Sequence, residues 1–242
     1  MKSLILFALS VVIPLNINPQ ELIKVSTDIE LVRISDNAYL HVSYASVPGF
    51  GRVSANGLVF INDGKALLFD TPWNDSLTCD LVTYLTEKMH LKIEGFVPNH
   101  WHEDCMGGLG YLKSLGIRTW ANFRTIEIAG KQGLQVPDEG FSDSLALKLG
   151  DKTVFCYYPG AAHSMDNIVI WIPSEKILFP GCMCKSLDSP NLGNIADGSI
   201  SEYQTTIDRV IKRFREAILV IPGHGSPGGT DLLLHTKELT SK

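Results

Sequence analysis

Past its first twenty residues, the 242-residue chain has no run approaching the roughly 18 apolar residues that a bilayer-spanning helix needs. Basic residues are in the minority. Against 26 Asp and Glu there are 21 Lys and Arg, a net charge of -5 with an isoelectric point near 5.8. This leaves no basic surface for a nucleic acid partner. Also missing are G-x-S-x-G and S-x-x-K, the settings of a serine nucleophile. Cysteines are few and odd in number: Cys79, Cys105, Cys156, Cys182 and Cys184. They cannot form a complete disulfide framework, and a chain this long buries a core without such staples. At least one thiol is therefore expected to have another task, with metal ligation the leading candidate.

What is present begins with "MKSLILFALSVVIPLNINPQ". Lys2 precedes an apolar stretch from Leu4 to Leu15, too short for a membrane helix, and polar residues follow. This reads as a secretory signal over residues 1–20, implying a periplasmic protein whose mature part, residues 21–242, forms one domain. No cysteine follows the apolar stretch, so no lipid anchor is expected.

Strands are expected at Leu31–Ile34 and Ala38–Tyr44. "YASVPGFGRVSANG" (44–57) reads as a mobile hairpin or loop carrying a lone aromatic, Phe50. "GLVFINDGKALLFDTPW" is a hairpin turning at Asn62-Asp63-Gly64. Leu77, Leu81, Leu85 and Met89 then mark a helix capped by Asn74 or Asp75. A strand follows at Ile93–Val97, and later a helix near Thr125–Lys131. Further strands are expected at Leu145–Leu149, Thr153–Tyr158, Asn167–Ile172, Lys176–Phe179 and Ile218–Ile221. Ser201 is expected to cap a helix burying Ile207, Val210, Ile211 and Phe214, and Thr230–Leu239 to form the last one. "DNIVIWIPSEKILFPGCM" echoes the first hairpin, and each hairpin leads through a helix to a strand ending in Pro-x-His, "FVPNH" and "VIPGH". The chain thus reads as a pseudo-duplication: two sheets face to face, helices outside, and a site where the loops of both halves meet.

That site is expected around "NHWHEDCMGGLG". His100, His102 and Asp104 are spaced i, i+2, i+4, which in extended backbone sends all three to one side. The remaining ligand candidates are His163 in "GAAHSMDN", Cys182 in "PGCMCK" and His224 in "PGHGSPGG", each among small residues at a strand end. His41, His90 and His235 lack such settings and read as surface or packing residues.

H-x-H-x-D, then G-x-x-H, G-C-x-x-K and G-H-G together resemble the subclass B1 metallo-β-lactamases from about residue 25 to the C-terminus. The resemblance implies an α+β fold, the four-layer αββα sandwich, with two zinc ions per chain. It implies His100, His102 and His163 on one zinc and Asp104, Cys182 and His224 on the other. The implied reaction is opening of a β-lactam ring by zinc-bound hydroxide, giving antibiotic resistance, in a monomer acting on small-molecule β-lactams. Asp104 is implied to orient the hydroxide, Lys185 to bind the substrate carboxylate and Asn194 to sit near the carbonyl oxygen. Phe50 would cover apolar substrate groups, and Asp70 would orient ligands by hydrogen bonds. The runner-up is another hydrolase of this fold, a lactonase or thioesterase. Sister enzymes of the glyoxalase II type usually carry His after the motif Asp and Asp in place of Cys182. Most B1 members have Arg after the motif Asp; this chain resembles a branch with Cys there, Cys105. That exchange is expected to weaken occupancy of the Cys182 zinc, with Cys105 either packing beneath the site or acting on it. Cys79 and Cys156 are expected to be small core hydrophobes.

Overall fold

The computed structural model describes residues 21–241; the expected signal over 1–20 lies outside them. The first half forms β1 (Leu22–Ser26), β2 (Ile29–Arg33), β3 (Ala38–Val47), β4 (Gly51–Asn62), β5 (Lys65–Phe69) and β6 (Lys92–Val97), a six-stranded sheet in that order. Between β5 and β6 the chain crosses through α1 (Asp75–Thr83), which continues as a π-helical turn over Tyr84–Lys88. The short helices α2 (Glu103–Met106) and α3 (Leu109–Ser114) come next. They lead to β7 (Trp120–Asn122), α4 (Phe123–Lys131) and β8 (Glu139–Phe141), with β7 and β8 paired in a small parallel ribbon. The second half supplies β9 (Ser144–Leu149), β10 (Lys152–Tyr157), β11 (Val169–Ile172), β12 (Ile177–Gly181), α5 (Ile200–Arg213), β13 (Leu219–Pro222) and α6 (Asp231–Leu239). Its five-stranded sheet runs β13-β12-β11-β10-β9.

The duplication is visible in the topology. The antiparallel hairpin β4–β5 is followed by the helical crossover through α1 to β6, which lies parallel to β5. The hairpin β11–β12 is likewise followed by α5 and then β13, parallel to β12. A strand-helix-parallel-strand step in each half brings the ends of β6 and β13 to one rim. Period-2 alternation sends Leu58, Phe60, Leu67 and Phe69 inward to meet Ile168, Ile170, Ile172 and Phe179 from the other sheet. On the outer faces, Val59, Leu68 and Phe96 pack under Leu81, Leu85 and Leu109. Val169, Leu178 and Val220 pack under Tyr203, Ile207, Leu232 and Leu233. This is the αββα sandwich. Emptying a fully buried site such as Phe60 is expected to cost about 3–5 kcal/mol.

Three local expectations are corrected. Residues 44–57 are almost entirely strand, because β3 and β4 pair continuously from Ala38↔Phe60 to Val47↔Gly51. Only the tip is a turn, with Gly49 and Gly51 at positive φ. The helix expected to be capped at Ser201 starts at Ile200, with Ser199 as the cap residue and no side-chain capping bond. Extended backbone does not carry through the H-x-H-x-D motif. His102 is the N-cap of α2, so Asp104 stands on a helical turn. Asn74 does cap α1, accepting a hydrogen bond from the Leu77 amide at 2.9 Å.

Candidate metal centre

The first ligand segment starts where β6 runs out. Pro98 ends the strand, and the Asp70 carboxylate accepts a hydrogen bond from the amide of Asn99. Asp70 itself is buried at a positive φ of 61°. It therefore fixes the backbone entering His100 instead of bonding the ligand side chains directly. Asn99 also joins the halves: its Nδ2 donates to the Ile168 carbonyl at 2.7 Å, and its own carbonyl accepts from the Ile168 amide at 2.9 Å. On the other strand end, Asn56 Nδ2 of β4 donates to the carbonyls of Pro222 and Gly225, both at 2.8 Å, and so holds the loop that carries His224.

His100, His102 and His163 converge, their nearest ring nitrogens all within 4.8 Å of one another. The ring centroids are 4.5, 4.9 and 5.2 Å apart and the planes nearly perpendicular. Burial drives the His100 pKa down to about 3 and that of His163 well below the usual imidazole value, so both rings are neutral. The outer nitrogens assign the tautomers. His100 Nδ1 lies 3.2 Å from Cys105 Sγ and donates to it. His102 Nε2 donates to Asp197 Oδ2 at 3.0 Å. The inner nitrogens, His100 Nε2 and His102 Nδ1, then turn lone pairs toward each other at 2.8 Å. A cation held there would relieve that repulsion, and a set of three imidazoles suits zinc.

Beside them stand Asp104, Cys182 and His224. Cys182 Sγ is 3.4 Å from Asp104 Oδ2 and 3.3 Å from His224 Nε2, and the latter two are 3.1 Å apart. His224 Nδ1 donates to the Ser54 carbonyl at 2.6 Å, leaving Nε2 for the site. A looser grouping within 4.8 Å would join His100, Asp104, Cys105 and Cys182. The three short contacts make Asp104, Cys182 and His224 the tighter set, and the Cys105 sulfur faces the back of His100. Cys182 has no room to retreat: a Cβ on Gly223 would lie 2.3 Å from its sulfur.

The two clusters differ in charge. A hydrogen bond from Cys105 brings the Cys182 pKa down to about 6 against the opposing effect of burial, with the His224 charge adding to it. Burial also opposes ionisation of Asp104, yet the hydrogen bond and charge of His224 hold its carboxyl well below the usual range. His224 is pushed well above the usual imidazole value, burial being outweighed by Cys182 and Asp104. Burial, and then the hydrogen bond to Cys182, pushes the Cys105 thiol well up, so it stays a neutral donor.

No family model matches the chain. A metallo-β-lactamase type 2 from Bacteroides fragilis is 44% identical over 234 residues, 97% of this chain and 94% of that relative. One from Bacillus cereus is 36% identical over 211 residues, 87% and 82% of the two chains. The chain belongs to the subclass B1 metallo-β-lactamases. Among solved structures, the metallo-β-lactamase from Pontibacter korlensis superposes with a TM-score of 0.85 at 32% identity, covering 88% of this chain and 99% of that one. That of VMB-1 does so with a TM-score of 0.85 at 39% identity, covering 89% and 98%.

The other B1 positions are placed less uniformly. Lys185 is nine-tenths buried. Its amide donates to Thr236 Oγ1 and its Nζ to the Cys182 carbonyl, both at 2.8 Å. Burial lowers its pKa, while its charge in turn disfavours protonation of His100 and His163. Asn194 is exposed, and its Oδ1 accepts from the Ala196 amide at 3.1 Å, a turn-forming bond that occupies only one end of the amide. Phe50 stands at the β3–β4 tip, 71% exposed. Of the histidines set aside, His41 is fully buried, Nε2 donating to the Asp70 carbonyl at 3.0 Å. Sequence reasoning missed Asp197, Asn56 and Asn99. An acid three residues after Asn194 carries no spacing signal toward a histidine 95 positions earlier.

Proposed function

We propose that this chain is a zinc-dependent β-lactamase, hydrolysing the ring amide of β-lactam antibiotics and thereby conferring resistance. In this reading residues 1–20 export it to the periplasm, residues 21–242 fold as the active domain, and a monomer binds two zinc ions. The observation that carries the proposal is the pair of unlike triads, His100/His102/His163 and Asp104/Cys182/His224, set against each other at the rim where both halves end. When bound, zinc supplies a nucleophile at neutral pH by lowering the pKa of its water to about 7.

The protein's own groups do the rest. Asp104, kept ionised beside His224, accepts a hydrogen bond from the attacking water and aims it. Lys185 offers its ammonium to the substrate carboxylate, exchanging its bond to the Cys182 carbonyl for a charged one. The free Nδ2 of Asn194 is available to the ring carbonyl oxygen, where a donor lowers the barrier as negative charge develops. Phe50 closes over apolar substrate groups from the hairpin tip. Cys182, a thiolate candidate where thioester hydrolases of this fold usually have Asp, favours this reading over a lactonase or thioesterase.

The test is hydrolysis of a chromogenic cephalosporin by purified protein. Turnover lost on chelation and regained with zinc is expected. Full turnover in chelated protein with no zinc by elemental analysis would overturn the proposal.

A further inference from the structure

Cys105 and Cys182 have a relationship that hydrolysis does not use. Both sulfurs belong to one buried cluster in which every potential ligand atom lies within 4.8 Å of every other. The remaining thiols sit apart: Cys79 beside Thr83, Cys156 in the inter-sheet core, and Cys184 against Thr236. The Cys182 sulfur touches the His224 ring, whose side chain is 38% exposed. Cys182, beside that ring, is therefore the nearer of the two sulfurs to solvent, whereas Cys105 lies behind His100.

We propose that Cys105 and Cys182 are an oxidisable pair, closing to a disulfide under peroxide in the metal-free chain, and that this disulfide and a metal at Cys182 exclude one another. The Cys182 sulfur attacks one peroxide oxygen, the O–O bond breaks, and a sulfenic acid forms with loss of one water. The Cys105 sulfur then displaces the sulfenic oxygen, which leaves with the Cys105 proton as a second water while the S–S bond forms. Two thiols are oxidised and one peroxide is reduced to two waters. Because Gly223 packs against Cys182, the Cys105 side chain makes the larger movement, and in turning it abandons His100 Nδ1. Oxidation thus removes a ligand from one triad and the supporting partner of a ligand from the other. A metal bound at Cys182 would draw electron density from its sulfur and hold it in place, so the loaded site is slower to react with peroxide and to close on Cys105. The pair also spares Cys182 from irreversible oxidation, since the sulfenic stage is intercepted and a thiol reductant reverses the disulfide.

This inference goes beyond the hydrolase reading, because the cross-link needs no β-lactam turnover. Chelator-stripped mature protein is treated with dilute hydrogen peroxide and mapped by non-reducing peptide mass spectrometry. A Cys105–Cys182 peptide is expected, with an intact mass lower by two hydrogens and one zinc fewer bound than by reduced protein. Dithiothreitol should restore the uptake. Zinc-loaded protein should give no cross-link, and Cys105→Ser should instead accumulate dimedone-trapped sulfenic acid and then sulfinic acid at Cys182. Wild-type Cys182 advancing to sulfinic acid with no cross-link would overturn the pairing. A cross-link formed equally fast with zinc present would overturn the exclusion. Loss of β-lactamase activity as a property of the chain would alter neither readout.

Discussion

The two triads are built from similar parts and prepared for metal in different ways. His100 and His163 are buried neutral rings, and the outer nitrogens of His100 and His102 are held by Cys105 and Asp197, so that the inner nitrogens of those two rings face each other. Asp104, Cys182 and His224 hold two anionic groups around a ring that keeps a proton, and a metal must displace that proton. The first cluster is preorganised by desolvation, the second by internal ion pairing. In the proposed two-zinc reading, a single rim would present one site that needs only an ion and one where the ion competes with protons and with an oxidisable neighbour.

Changing the ligand unique to the second cluster should have the largest effect. Cys182→Ser is expected to lower kcat/KM by about 100-fold or more and to remove one zinc, because a hydroxyl is a far poorer ligand than a thiolate. Elemental analysis beside kinetics checks this, and two retained zincs would erase the distinction between the clusters. Next is Asp197→Asn. Converting the acceptor of the His102 Nε2 hydrogen bond to an amide should weaken zinc at the three-His cluster by about 10-fold, a loss typical of such supporting partners. Competition with a chromophoric chelator measures it, and the thiolate cluster should be unaffected.

Lys185→Ala should raise KM for carboxylate-bearing β-lactams by about 10-fold with a smaller change in kcat, as expected when ground-state binding is lost. Lys185→Arg should be milder. The effect that separates the clusters most cleanly is that of pH on metal binding. His224 has its pKa raised and is protonated at neutral pH in the metal-free chain. Each unit of acidification below that pKa should cost the thiolate cluster about tenfold in affinity. Below about pH 6, Cys182 takes up its proton too and steepens the loss. At the three-His cluster His100 does not compete until about pH 3. Zinc titrations at pH 8, 7 and 6 should show the divergence.

How much of this was legible beforehand depended on whether the determining contacts are local in sequence. The hairpins at Asn62-Asp63-Gly64 and at "IPSEK", the Asn74 cap and the buried face of α5 follow from periodicity and turn chemistry, which act over a few residues. The six ligand candidates were found from their strand-end settings and from the family resemblance. Three features escaped. The turn at Glu103–Met106 was hidden because i, i+2, i+4 fits extended backbone, and a four-residue helix has no amphipathic pattern to betray it. The pairing of β3 and β4 through 44–57 was hidden by small residues that read as loop but pair well against an opposite strand. Asp197, Asn56 and Asn99 were hidden because their partners lie 69 to 169 positions away. Contacts between halves leave no mark on either half alone.

The claim that two unlike sites share this rim is tested most directly by stepwise cobalt(II) titration of metal-free, reduced protein at pH 7, followed by absorption. Visible d–d bands should appear with the first equivalent. The near-ultraviolet sulfur-to-cobalt charge-transfer band should develop with the second, and Cys182→Ser should abolish that band while leaving the first phase intact. A charge-transfer band complete at one equivalent would contradict the account, because the thiolate cluster would then be the readier of the two.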